Sequence, residues 1–159
     1  MNLLLDVNIV IDLCAPRIEW HEQSMQAIEH SKVQADSLWL YAGSVQTLVY
    51  NLHHEIRRVR PGISYNAAMR LVLEELKEFS KDKQWLAALA EEGHVFDSVD
   101  PEDEQLIRAL KRFPTEDIKL LTRDTLLLKK YPDKAISPER YCQIDKLDKS
   151  LNFIDLKAQ

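Results

Sequence analysis

Short, unbroken apolar runs that end on polar or acidic residues, with helix-spaced stretches between them, constrain this chain more than any other feature. Residues 3–6 read LLLD, 38–41 LWLY and 118–124 IKLLTRD. Runs this short and uniform suit strands buried on both faces of a parallel sheet, whereas a half-exposed antiparallel strand would alternate. The expected strands are Asn2–Asp6, Leu38–Tyr41, residues 94–99, residues 118–122 and a weak fifth at Lys134–Ser137. Between them, Ile9, Val10 and Leu13 start a helix that Pro16 ends, and helical spacing resumes over residues 17–31. Gly43-Ser44 opens a helix carrying Leu48, Leu52 and Ile56, which Pro61-Gly62 stops. Ser64 is a plausible N-cap for the next, through Ala68, Val72 and Phe79. A short helix is expected around residues 85–90, and Pro101 suits the first turn of a helix carrying Leu106, Ile107 and Leu110. Strands alternating with helices imply βαβ crossovers, hence an α/β fold of three layers, α/β/α, around a mostly parallel sheet. The domain is expected over residues 1–142, with residues 143–159 as a C-terminal tail.

A 159-residue chain with 45% hydrophobic content is long enough to bury one core without disulfides or structural metal. The apolar opening, MNLLLDVNIVIDL, is broken by Asp6, Asn8 and Asp12 and has no basic lead, so neither a signal peptide nor a transmembrane helix is expected. Cys14 and Cys142 lack any ligand spacing, which fits reduced packing thiols and a cytoplasmic location. The net charge of −5 excludes a protein that coats nucleic acid by bulk electrostatics, so such contact would have to be local. Residues 53–60, HHEIRRVR, form one basic patch and Arg108, Lys111 and Arg112 another; each alone also fits a solvated helix end.

Ligands of open parallel sheets bind beyond the carboxyl ends of the strands, where the strand order reverses. Asp6 closes the first run and Asp124 follows the fourth, so both carboxylates should reach that edge. Asp103, beside Asp100, Glu102 and Glu104, opens the helix that follows residues 94–99. Carboxylates gathered this closely repel one another unless a cation lies between them. Oxygen donors without His or Cys favour Mg²⁺ or Mn²⁺ over zinc. Taken singly, each acid also has an ordinary explanation as a helix cap or a complement to a helix dipole. The five His residues show no HExxH spacing, the three glycines make no P-loop or dinucleotide fingerprint, and Ser44 has no GxSxG context.

These motifs, in this order, resemble the PIN-domain ribonucleases, which include toxins of bacterial toxin–antitoxin pairs. LLLDVNIVIDL is similar to the opening strand of that family, DPEDEQLIRAL to its third motif, LLTRDTLLL to its last, and AISPERY to its closing strand and turn. The resemblance implies a PIN-like fold with Asp6, Asp103 and Asp124 as catalytic metal ligands and Asp100 as a secondary one. Asn8, Ser44 and Thr122 would support them by hydrogen bonding. One departure stands out: where the second motif places an acid, AGSVQTLVYNL offers Thr47. A neutral oxygen there weakens the charge of the site.

The function implied is Mg²⁺- or Mn²⁺-dependent hydrolysis of RNA by a cytoplasmic, non-membrane protein. Arg57, Arg58 and Arg60 would follow the RNA backbone, and an antitoxin protein and a homodimer would be its partners. Two alternatives stay open: a PIN-fold binding or regulatory module that no longer cleaves, motivated by Thr47, and a flap-like nuclease acting on DNA. Residues 153–159, FIDLKAQ, resemble the opening of the sugar aminotransferases that use pyridoxal phosphate, which would make the tail the start of a fused segment; an ordinary terminal tail is the simpler reading.

Overall fold

The computed structural model describes residues 1–15, 18–87, 100–113 and 117–144. β1 (Asn2–Leu5) leads through α1 (Val7–Cys14) and α2 (Ile18–Val33) to β2 (Ser37–Tyr41). A single 3₁₀ turn, Ala42–Ser44, precedes α3 (Val45–Val59), α4 (Tyr65–Ser80) and β3 (Gln84–Leu86). Then come α5 (Pro101–Lys111), β4 (Ile118–Leu121), α6 (Thr125–Lys130), β5 (Ala135–Ile136) and α7 (Pro138–Tyr141). The five strands form one sheet in the order β3-β2-β1-β4-β5, and every pairing is parallel. This is the three-layer α/β/α arrangement expected of a PIN-like domain.

The apolar runs explain the layers. Leu3 and Leu5 point to one face, where α1, α2, α3 and α4 pack through Ile9, Ala27, Leu48, Leu52 and Val72. Leu4 points to the other, with Leu120 and Ile118 of β4, and meets Leu106, Ile107 and Leu110 of α5 and Leu127 of α6. Period-two alternation along strands covered on both sides is what makes them read as uniformly apolar. Ser64 caps α4 as expected, accepting from the Ala67 N–H at 3.3 Å. Pro101 occupies the first turn of α5.

One expectation fails at residues 84–86. The stretch anticipated as a short helix from Trp85 begins instead as an edge strand, Gln84–Leu86, in register with Trp39–Tyr41 of β2. The WLAALA composition favours helix, and parallel pairing with β2 overrides that propensity. The strand expected at residues 94–99, the rest of the helix expected to residue 90, and the tail from residue 145 lie outside the described residues. No helix among the described residues is long and apolar enough to cross a membrane.

The strand order reverses at β1, which has β2 on one side and β4 on the other. The switch point, where a sheet of this kind is expected to open a crevice, therefore lies beyond the carboxyl ends of β1 and β4.

Candidate active site at the carboxyl ends of β1 and β4

Asp6 lies one residue past β1, in extended conformation at the N-cap position of α1, yet its side chain makes no capping bond. Its Oδ2 instead accepts from Asn8 Nδ2 at 2.6 Å and from the Thr122 hydroxyl. Asn8 also bridges to β4's end: Nδ2 donates to Thr122 Oγ1 at 3.2 Å, and Oδ1 accepts from the Arg123 N–H at 3.2 Å. Thr122 Oγ1 in turn accepts from the Asp124 N–H at 2.9 Å. Asp6, Asn8, Thr122 and Asp124 thus form one bonded web.

The loop that carries Thr122 and Asp124 is anchored from below. Arg123 makes a two-pronged ion pair with the fully buried Asp12, Nε to Oδ2 at 2.6 Å and Nη2 to Oδ1 at 2.8 Å. Ser24 Oγ adds a bond to Asp12 Oδ2 at 2.9 Å, and the Arg123 guanidinium sits 4.8 Å from the centre of the Trp20 ring. Bidentate charge-assisted pairing holds a side chain more tightly than a single contact. Neither Asp12 nor Arg123 stood out in the sequence as a site residue, because their 111-residue separation hides the pairing.

The acids of α5 and α6 divide into those committed to capping and those with oxygens to spare. Asp124 Oδ1 caps α6, accepting from Leu126 N at 2.7 Å and Leu127 N at 3.0 Å. Asp100 Oδ1 caps α5, accepting from Glu102 N at 3.1 Å and Asp103 N at 3.2 Å. The capping explanation thus holds for Asp100 and for one oxygen of Asp124, and fails for Asp6. Asp103 has its carboxyl pushed up to about 6, by burial first and then by the charges of Asp100, Asp6, Asp124 and Glu102. Asp6 is raised too, by burial first, against the stabilising bond from Thr122 and with further raising from Asp124 and Glu102.

Glu102, which the sequence offered only as a neighbour of Asp103, has a more definite place in the structure. Its Oε2 accepts from the Thr47 hydroxyl at 2.9 Å, while its Oε1 is buried and meets no partner among the described residues. Thr47, where an acid was expected and not found, therefore positions a carboxylate from α5. The signal available was only that Glu102 directly precedes Asp103 in DPEDE. Ser44 is buried at the start of α3, and no hydrogen bond joins it to these acids among the described residues. Arg57, Arg58 and Arg60 are exposed near the far end of α3, away from the web, with Arg58 Nε held by Glu55 at 2.9 Å.

Among the described residues, no three His, Cys, Asp or Glu side chains stand close enough together to form a ready metal-ligand set. The chemistry of the donors nonetheless suits a hard divalent cation: the candidate ligands are carboxylate oxygens, neighbouring charges add to burial in raising Asp6 and Asp103, and among the described residues Glu102 Oε1 is an orphaned buried acceptor. No protein-family model matches the chain, and no curated protein matches it.

Proposed function

We propose that this chain is a PIN-domain ribonuclease whose crevice at β1 and β4 takes Mg²⁺ or Mn²⁺ and hydrolyses RNA phosphodiester bonds. The observation that carries this reading is the placement of Asp6, Glu102, Asp103 and Asp124 at the switch point of an all-parallel sheet, where burial first, and then the charges of Asp100, Asp6, Asp124 and Glu102, push the Asp103 carboxyl up to about 6. Asp6, Glu102, Asp103 and the uncapped oxygen of Asp124 would hold the ion, with Asp100 behind them. When bound, a divalent ion activates water and offsets charge on the phosphate. The chain's own contribution is orientation. Thr122 and Asn8 hold Asp6, Thr47 holds Glu102, and the Arg123–Asp12 pair holds the Asp124 loop. Arg57, Arg58 and Arg60 would meet the RNA backbone outside the acidic crevice. A cytoplasmic location, an antitoxin partner and a homodimer belong to the same proposal. Incubation of purified protein with RNA and Mn²⁺ tests it: cleavage by wild type and none by Asp6→Ala is expected, and equal cleavage by both would refute it.

A second reading, a PIN-fold module that binds without cleaving, is favoured by one observation: no three acids form a ready ligand set among the described residues. It is distinguished by wild-type protein that binds RNA and leaves it intact in saturating Mn²⁺.

A further inference from the structure

We propose that the groove between α3 and α4 is the track along which a single-stranded segment of the RNA leaves the crevice, its bases stacked on tyrosine rings and its phosphates on arginines. This rests on the proposed RNA hydrolysis and deepens it. The groove encloses about 870 Å³, and none of the eleven residues lining it is acidic. In a chain with 26 acids and a net charge of −5, an acid-free lining that carries Arg57, with the Glu55-held Arg58 beside it and His53 and His54 as polar rings, favours an anionic occupant.

The occupant's shape is indicated by the aromatic groups. Tyr50 is 72% exposed and Tyr65 58% exposed, and both line the groove. The His53 ring lies 4.5 Å from the Tyr65 ring, centre to centre, and backs it from inside the groove. Exposed aromatic faces between cationic side chains bind unpaired bases, which a duplex keeps inside its stack.

Placement links the groove to the crevice. Thr47, Tyr50, His54 and Arg57 follow one another at three- and four-residue steps, so they share one side of α3. Thr47 touches Glu102 at 2.9 Å. From that contact the stripe runs outward for about 15 Å, at about 1.5 Å per residue.

Fluorescence anisotropy with a labelled, unstructured RNA of about twelve nucleotides, in EDTA so that no cleavage intervenes, is the test. Tyr50→Ala is expected to weaken binding about 5- to 100-fold. Arg57→Ala is expected to weaken it and to flatten its salt dependence by about one phosphate contact. A duplex of the same length should bind less tightly and ignore Tyr50→Ala. Unchanged affinity in both variants overturns the proposal. So does a Tyr50→Ala variant whose sedimentation changes without RNA while its RNA affinity does not, since the groove would then be a protein contact. Failure of the hydrolysis reading looks different: groove-dependent binding persists, and wild type leaves RNA uncut in Mn²⁺.

Discussion

Individual carboxylates in this molecule differ by what their oxygens already hold. Asp103 is the clearest case, because its acidity is set by burial and by four neighbouring acids. A carboxyl raised from 3.8 to about 6 binds a proton more readily folded than unfolded, so folding takes up protons between those values. Its destabilising contribution is absent below that window and grows as the pH rises through it. Asp103→Asn should therefore raise the melting temperature in chelator at about pH 7, and the advantage should vanish at about pH 3.5. Thermal unfolding followed by circular dichroism at both pH values checks this, and equal melting temperatures at neutral pH would contradict it. Thr122 acts one step away, through its bond to Asp6. Thr122→Val keeps the volume and removes the donor, and is expected to weaken Mn²⁺ binding by about 10- to 100-fold, as loss of a ligand-orienting partner does. Cys14, by contrast, has its thiol pushed up to about 12, chiefly by burial, and is chemically quiet.

At the scale of elements, the loop from β4 to α6 is the part most dependent on a single anchor. Thr122 is buried at its start and Asp124 caps the helix at its end, with Arg123 between them gripping Asp12 of α1. Removing one partner of a buried pair leaves the other charge uncompensated, which costs about 3–5 kcal/mol. Asp12→Ala should lose stability on that scale in urea denaturation, while Ser24→Ala, which deletes one neutral donor to the same carboxylate, should lose less, about 1.5–3 kcal/mol. The reverse ordering would mean that the pair is not the anchor. α3 plays a double part, presenting Thr47 to Glu102 at its beginning and a basic, aromatic groove along its length.

For the whole molecule, the sheet was legible wherever burial on both faces made a strand uniformly apolar. β1, β2 and β4 were located to within a residue because Leu3–Leu5, Leu38–Tyr41 and Ile118–Leu121 admit no helical period. β3 was not, since Trp85 and Leu86 open a stretch rich in helix formers and become a strand only by lying beside Trp39–Tyr41. Within the site the same division holds. Asp6 and Asp124 were legible from strand ends, whereas Glu102 and the Asp12–Arg123 pair depend on contacts across 55 and 111 residues that no local pattern encodes. The absence of an acid at Thr47 suggested a weakened site; the fold brings Glu102 to that same hydroxyl.

Calorimetric titration of Mn²⁺ into the wild-type protein, Asp6→Asn and Glu102→Gln tests most directly whether these acids are one metal site. Binding by the wild type, with loss in Asp6→Asn and marked weakening in Glu102→Gln, is the expected result. Wild-type protein that takes up no Mn²⁺, or binding that neither substitution alters, would contradict it.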